Sequence, residues 1–140
     1  MQDNYKVFAS VYDMMQYDVP YEFWIRKITE EIKQNVNGAR SVLELACGTG
    51  TIAIGLSKMG FYVEGCDLSE DMLAIAQEKA FSAGKNIKFL KQDMRTLDMR
   101  RTYDAVVCLC DGLNYITDLE SLKKVFQNVL ARYYYCTLVW

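Results

Sequence analysis

The sequence predicts an α/β fold built on a mostly parallel β-sheet. Short apolar segments that are typical of buried strands alternate along the chain with segments whose apolar residues recur at helical spacing. One strand-like segment, residues 103–110, is almost continuously apolar, as expected for a parallel strand that is covered on both faces. Because the chain has 140 residues, we expect residues 1–140 to form a single domain around one core.

The N-terminal part of the chain predicts helices. Residues 5–15 are expected to form a short helix. Pro20 suits the first turn of a second helix, because its missing N–H is no loss there. Within residues 20–36, three apolar side chains recur every four residues, at Trp24, Ile28 and Ile32. We therefore expect N-terminal helices over residues 1–37 and the core of the domain over residues 38–140.

Strands and helices alternate from residue 41 onward. Five apolar segments are predicted as strands, at residues 41–46, 61–66, 87–90, 103–110 and 133–140. Three helices are predicted between them, over residues 51–58, from Ser69 to Gly84, and from Asp118 to about residue 132. Ser69 and Asp118 are suitable N-caps, because their side-chain oxygens can accept hydrogen bonds from the first turn of a helix.

The composition argues against several classes of protein. With a net charge of −2, the chain offers no field for nucleic acid or an anionic membrane, and no apolar run reaches the roughly 18 residues of a membrane span. The N-terminus lacks the apolar stretch of a signal peptide. There is no histidine and no Cys-x-x-Cys pair, so we predict no metal site. The five cysteines are expected to be reduced, buried thiols of a cytoplasmic protein.

A glycine-rich loop follows the first predicted strand. Residues 43–50 read Leu-Glu-Leu-Ala-Cys-Gly-Thr-Gly, and the small residues at 46, 48 and 50 would let a ligand approach the backbone. The helix behind the loop presents free N–H groups, which favour an anionic group such as a carboxylate. Ala46 is expected to keep a negative φ, as alanine normally does. The alternative is a tight strand-to-helix connection that binds no ligand.

An acidic residue, Asp67, ends the second predicted strand. It lies 19 residues after Gly48, and an acid near this spacing can accept hydrogen bonds from both ribose hydroxyls of a nucleoside. Ligands bind beyond the carboxyl ends of the strands in such sheets, so the loop and Asp67 are expected to face one site. The alternative is that Asp67 only caps the helix that begins after Ser69.

The loop and the acid fit two kinds of nucleoside cofactor. Residues 48–53 also match the dinucleotide pattern G-x-G-x-x-A, which would suit NAD. Glu44 favours the other kind of cofactor, a nucleoside that carries a methionine, because a carboxylate inside an apolar strand is costly unless a partner pairs with it. The amino group of a bound methionine or the loop N–H groups could pair with it, whereas a pyrophosphate would be repelled.

Four segments in order resemble the motifs of class I S-adenosylmethionine-dependent methyltransferases. They are LELACGTG (43–50), VEGCDLSEDML (63–73), KQDMRTL (91–97) and YDAVVCLCDGLNYI (103–116). The resemblance covers about residues 5–130 and implies a Rossmann-like three-layer sandwich with strand order 3-2-1-4, with the fifth strand next if it pairs. Residues 8–13 and the helix at 20–36 resemble the lid of small-molecule methyltransferases in this class, some of which methylate sugar amines.

The resemblance also implies which residues bind the cofactor. Four residues would hold its methionine end, namely Glu44, Ala46, Cys47 and Gly48. Asp67 would accept hydrogen bonds from the ribose hydroxyls. The remaining positions surround the adenine and the sulfonium. Leu68 and Met72 would flank the adenine, Asp93 would accept from its amino group with Met94 beside it, and Cys110 and Asp111 would lie below the sulfonium.

The implied reaction is in-line transfer of a methyl group from S-adenosylmethionine to an N or O nucleophile of a small molecule. No catalytic residue is assigned, and the candidate proton acceptors are Asp111, Tyr115 and Tyr12. The fourth motif lacks a Pro-Pro-Tyr element, so it does not resemble enzymes that methylate amino groups of DNA bases. The alternatives are an NAD-binding domain, a cofactor-binding module without catalysis, and a fragment that folds only within a larger assembly.

The C-terminal segment departs from the family pattern. The family would continue with a Pro-Gly-Gly turn, a fifth strand and an antiparallel hairpin, whereas here Leu130 is followed by Ala-Arg-Tyr-Tyr-Tyr and the sequence ends at Trp140. This departure indicates truncation or a change of reading frame. If residues 133–140 pair beside the fourth strand, they form an apolar edge without Lys or Pro at residues 134–140, so we expect a homo-oligomer through this segment.

Overall fold

A computed structural model of the protein describes residues 19–109, 118–132 and 136–138. These residues form one sheet with helices on both faces, which confirms the predicted α/β fold. The helices are α1 (Tyr21–Asn35), α2 (Thr51–Lys58), α3 (Glu70–Ser82) and α4 (Leu119–Arg132). The strands are β1 (Ser41–Leu45), β2 (Tyr62–Asp67), β3 (Lys88–Lys91), β4 (Ala105–Cys108) and β5 (Cys136–Leu138), and a 3₁₀ turn spans Met94–Thr96.

The sheet has the strand order β3-β2-β1-β4-β5, and every neighbouring pair is parallel. The order 3-2-1-4 is therefore confirmed, and the fifth predicted strand pairs beside β4. Every residue of β1 is buried, as its central place in the sheet requires. In the register, Glu44 of β1 lies opposite Gly65 of β2 and Val107 of β4.

Alternate side chains of the strands enter two apolar layers. One layer joins the sheet to α1 and α2, with buried members that include Ile32, Val42 and Leu56. The opposite layer joins it to α4, with Leu43 and Val125 among its buried members. Since successive side chains of a strand point to opposite faces, Val42 and Leu43 belong to different layers. The described residues thus form a three-layer sandwich.

The N-terminal side of the described chain packs closely on the sheet. Helix α1 buries Ile28 and Ile32, as its four-residue apolar spacing predicts. A Cβ at Gly55 of α2 would collide with the side chain of Ile25, so a glycine there allows α1 and α2 to approach each other. The predicted helix over residues 5–15 lies outside the described residues.

The predicted helix starts are confirmed. The Ser69 hydroxyl accepts a hydrogen bond from the Met72 N–H at 3.2 Å, and Oδ1 of Asp118 accepts one from the Ser121 N–H at 2.7 Å. Strand β4 begins two residues later than expected, at residue 105. The reason is that Asp104 turns its carboxylate towards the start of β1, where it accepts from the Arg40 N–H at 2.7 Å.

Candidate cofactor-binding site

The loop after β1 has a left-handed backbone at alternate residues. Ala46, Gly48 and Gly50 have φ values of 51°, 55° and 81°. The expectation of a negative φ at Ala46 is therefore wrong. The turn is held by tertiary hydrogen bonds, because the Cys47 N–H donates to the Cys66 carbonyl of β2 at 3.0 Å. An L-residue in this region costs about 1–2 kcal/mol, which the loop must recover from these bonds.

Gly50 lets the loop meet α3 and β3 at close range. Its positive φ suits glycine, and a Cβ there would lie 3.0 Å from Cβ of Ala76 and 3.1 Å from Cζ of Phe89. Gly50 is also the N-cap of α2, and it supplies no side-chain cap. Gly50 therefore allows close packing within the protein, whether or not a ligand approaches the loop.

Asp67 joins the loop to the end of β2. Its Oδ2 accepts the Gly48 N–H at 2.8 Å, and its Oδ1 accepts the Ser69 N–H at 2.9 Å. The N-cap of α3 is Ser69, so capping is not the role of Asp67. A carboxylate oxygen can accept more than one hydrogen bond, so both oxygens keep acceptor capacity for a pair of hydroxyls.

Glu44 is a buried carboxylate beneath the first turn of α2. It is 3% exposed and accepts a hydrogen bond from the Ala53 backbone, while its Oε2 has no partner among the described residues. Burial raises the pKa of Glu44 well above its usual value, the nearby Asp67 raises it further, and Lys79 acts in the opposite direction. A buried acceptor without a partner fits a ligand that donates N–H, above all a cationic one.

The residues expected around an adenine occupy the turns after β2 and β3. Leu68 is exposed, whereas Met72 is buried at the start of α3. Asp93 caps the 3₁₀ turn and forms a bidentate ion pair with Arg95, with distances of 2.9 Å and 2.5 Å. This pairing with Arg95 lowers the pKa of Asp93. Met94 is partly buried and packs against the apolar layer that faces α4.

The described cysteines near the site are buried. Cys47, Cys66 and Cys108 form no disulfide, as expected from the sequence. Burial raises the pKa of the Cys47 thiol strongly and that of Cys66 to about 12, so both are neutral near pH 7. Within the described ranges, no cluster of three or more His, Cys, Asp or Glu side chains could hold a metal ion.

Sequence reasoning missed one residue of the site. No role was predicted for Lys79, but its Nζ donates to Oγ1 of Thr51 at 2.8 Å and to Oγ1 of Thr49 at 3.3 Å. The available signal was a lysine at helical spacing from the buried Met72 and Ala76 of α3. Four predicted residues of the site lie outside the described residues, namely Cys110, Asp111, Tyr115 and Tyr12.

Among the described helices, none is both long and apolar enough to cross a lipid bilayer.

Comparison with known proteins identifies the family. Residues 42–132 match the methyltransferase domain family. The chain is 43% identical over 126 residues to YqeM of Bacillus subtilis (strain 168), and 39% identical over 127 residues to a protein of Geobacillus sp. (strain WCH70); both carry the name methyltransferase. The alignments cover 89% and 90% of this chain. The chain belongs to the methyltransferase domain family, and the resemblance that the motifs indicated is confirmed.

The solved structures agree with the family and the fold. An S-adenosylmethionine-dependent methyltransferase from Clostridium acetobutylicum ATCC 824 superposes with a TM-score of 0.80 at 34% identity, over 92% of this chain and 53% of that one. The S-adenosylmethionine-bound amino pentose methyltransferase CalS10 from Micromonospora echinaspora gives 0.80 at 22% identity, over 96% and 56%, and shows likeness of fold alone. The chain spans about half the length of the curated relatives described above, 49% and 51%.

Proposed function

We propose that this chain binds S-adenosylmethionine and acts in methyl transfer to a small molecule. The observation that carries the proposal is Glu44, a buried carboxylate whose Oε2 lacks a partner among the described residues. It lies at the end of the sheet where ligands bind in α/β folds, next to a loop that leaves the N–H groups at the start of α2 without a side-chain cap. The family and the solved relatives support the same cofactor.

In this proposal, the glycine loop and its neighbours bind the methionine end of the cofactor. The residues assigned to this end are Glu44, Ala46, Cys47 and Gly48. The ammonium of the methionine would give Glu44 the donor that it lacks, and the backbone of the loop would lie against the carboxylate. Asp67 accepts the two ribose hydroxyls, one on each oxygen, while it keeps its bonds to the backbone.

The adenine is assigned to the turns after β2 and β3. Leu68 and Met72 flank the ring, and Asp93 accepts from its amino group with Met94 beside it. The exposed side chain of Leu68 supports this assignment, since it can cover an apolar ring without rearrangement of the core. Cys110 and Asp111, assigned to the region below the sulfonium, lie outside the described residues.

S-adenosylmethionine, when bound, supplies a methyl group activated on a sulfonium for in-line attack by an N or O nucleophile. The described residues would contribute by position: Glu44 would hold the methionine end of the cofactor, Asp67 would hold its ribose, and the loop would fix the distance between these two contacts. The buried layers around Glu44 exclude water from that side of the site. We assign no proton acceptor among the described residues.

The acceptor is proposed to be a small molecule. Glycine/sarcosine N-methyltransferase of Parasynechococcus marenigrum is 35% identical over 115 residues, and a magnesium-protoporphyrin O-methyltransferase of Synechocystis is 36% identical over 83. These relatives support an N or O nucleophile in a small acceptor. The buried cysteines that form no disulfide suit a reducing compartment, so we also propose a cytoplasmic location.

We also propose that this 140-residue chain self-associates through its C-terminal segment. Within the described sheet, β5 pairs with β4 and forms one edge. Residues 134–140 contain no Lys or Pro, which natural edges use to prevent pairing with another chain. A second copy of the chain is the proposed partner.

Binding of S-adenosylhomocysteine to the protein and to a Glu44→Gln variant tests the cofactor assignment. Glutamine keeps the shape of the side chain but removes the charge that would attract an ammonium. We expect the variant to bind about 10-fold or more weakly, as the loss of a charge-assisted hydrogen bond implies. Equal affinity of the two proteins would remove the observation on which the proposal rests.

A further inference from the structure

Lys79 reaches from α3 to the glycine loop. Its Nζ lies 2.8 Å from Oγ1 of Thr51, the first residue of α2, and 3.3 Å from Oγ1 of Thr49, which stands between the two loop glycines. Lys79 is partly buried and Thr49 is only 2% exposed. One ammonium group therefore bridges three elements of the candidate site: α3, the loop and the start of α2.

A cation is unexpected at this place. The N-terminus of a helix carries a partial positive charge, so an ammonium beside the first turn of α2 is unfavourable by itself. The first turn of α2 contains no acidic residue to compensate. Glu44 of β1 is the acid near this cation, and Lys79 acts to lower the pKa of its carboxyl.

We propose that Lys79 is a positioning residue of the cofactor site, which fixes the loop by donating hydrogen bonds to the hydroxyls of Thr49 and Thr51. Its charge also favours the ionised form of Glu44. The inference rests on the proposed binding of S-adenosylmethionine. An ionised Glu44 attracts the ammonium of the cofactor, whereas a protonated one does not. Lys79 thus affects ligand binding indirectly, through the glycine loop and through Glu44. We assign it no direct contact with the ligand.

The groups that face Glu44 come from four elements. Asp67 of β2 and burial both raise its pKa, while the Ala53 backbone of α2 and Lys79 of α3 lower it. The thiols of Cys47 and Cys66 are neutral near pH 7 and leave this balance unchanged. If Lys79 is removed, both raising causes remain and one of the two lowering causes is lost, so Glu44 holds its proton to a higher pH.

The test compares Lys79→Met with Lys79→Arg, with Thr51→Val, and with Lys58→Met as a matched control. Lys58 is exposed at the far end of α2, so its loss removes a lysine but leaves the site intact. Calorimetric affinity for S-adenosylhomocysteine is measured at pH 7. We expect Lys79→Met to bind about 10-fold more weakly, because it loses both the hydrogen bonds to the loop and the cation near Glu44.

The other variants separate charge from packing. Lys79→Arg should stay within about threefold of the unmodified protein, Thr51→Val should lose less affinity than Lys79→Met, and Lys58→Met should not change. A loss for Lys79→Arg as large as that for Lys79→Met would contradict the proposal, because it would show that the charge of the side chain is not what matters. Unchanged affinity of Lys79→Met would also contradict it.

A second measurement does not depend on the cofactor. The side-chain carboxyl carbon of Glu44 is titrated by NMR without ligand, and Glu44→Gln identifies its signal. The pKa of Glu44 should be higher in Lys79→Met than in the unmodified protein, and an equal pKa would overturn the electrostatic role. If the unmodified protein fails to bind S-adenosylhomocysteine, the proposed function fails, and this titration still decides the inference about Lys79.

Discussion

Gly48 donates its backbone N–H to Oδ2 of Asp67 over 2.8 Å, and this bond ties the loop after β1 to the end of β2. The other oxygen of Asp67 holds the turn that leads into α3 through the Ser69 N–H. One carboxylate therefore shapes both turns that would enclose the ribose and the methionine end of the cofactor. Asp67 should consequently affect the order of the unliganded site as well as its affinity.

Asp67→Ala should weaken binding of S-adenosylhomocysteine by about 10–150-fold, the usual effect of losing charge-assisted hydrogen bonds worth about 1.5–3 kcal/mol. The unliganded variant should also melt at a lower temperature, because the Gly48 and Ser69 N–H groups lose their acceptor. Glu78→Ala, which removes an exposed acid of α3, is the matched control and should change neither quantity. An unchanged dissociation constant for Asp67→Ala would show that the residue only organises the turn.

Glu44→Gln should make the unliganded protein more stable at neutral pH even though it weakens binding. Burial raises the pKa of Glu44 above its usual 4.5, so the folded state holds this proton to higher pH than the unfolded state does. Glu44 therefore lowers the free energy of unfolding progressively as the pH rises from about 4.5 through the pKa that this carboxyl has in the folded protein. Melting curves at pH 5 and pH 8 should show a stabilising effect of the substitution that is larger at pH 8. A difference that is independent of pH would mean that Glu44 does not titrate in this range.

Ala46→Gly should stabilise the protein, in contrast to most alanine-to-glycine changes. Ala46 has a φ of 51°, which costs an L-residue about 1–2 kcal/mol, and glycine avoids this cost. The greater freedom of glycine in the unfolded chain offsets about 0.4–1 kcal/mol of the gain. Ala74→Gly, at an exposed position inside α3, is the control and should destabilise by about 1 kcal/mol. If chemical denaturation shows that both substitutions lower the free energy of unfolding, the left-handed backbone at Ala46 is not strained.

The fold class, the strand order that the resemblance implied and the local features of the fold were predictable from the sequence, whereas individual tertiary contacts were not. Ser69 and Asp118 were identified as N-caps because capping depends on residues three positions apart or fewer. The positive φ of Ala46 is set by a hydrogen bond to β2, so the residue type alone predicted the wrong sign. Strand β4 was predicted too long because the side chain of Asp104 is engaged at the start of β1, which no periodicity reveals.

The residues of the candidate site were predictable where they belong to a recognisable sequence motif. The glycine loop, Glu44 and Asp67 stand in a fixed order along the chain, and the structure brings them together at one end of the sheet. Lys79 was not predictable, because its partners Thr49 and Thr51 are 30 and 28 residues away and its spacing matches an ordinary helix face.

The 140-residue chain should form oligomers that depend on its C-terminal segment. Burial of apolar surface stabilises an assembly by roughly 25 cal/mol per Å², so two apolar edge strands that pair favour association. Light scattering at about 100 μM should detect an oligomer for the intact chain and a smaller species for a version that ends at residue 132. Thr137→Lys, which places a charge on the edge strand, should have the same effect as the deletion. A monodisperse monomer for the intact chain would defeat this proposal, and an oligomer that survives the deletion would locate the interface elsewhere.

Parallel calorimetric titrations with S-adenosylhomocysteine and with NAD decide which cofactor the site binds. The buried Glu44 favours a ligand with an ammonium group and disfavours a pyrophosphate. We expect saturable binding of S-adenosylhomocysteine, with a stabilisation of about 2.7 kcal/mol when the ligand is present at 100 times its dissociation constant, and no binding of NAD. Binding of NAD without binding of S-adenosylhomocysteine would contradict it.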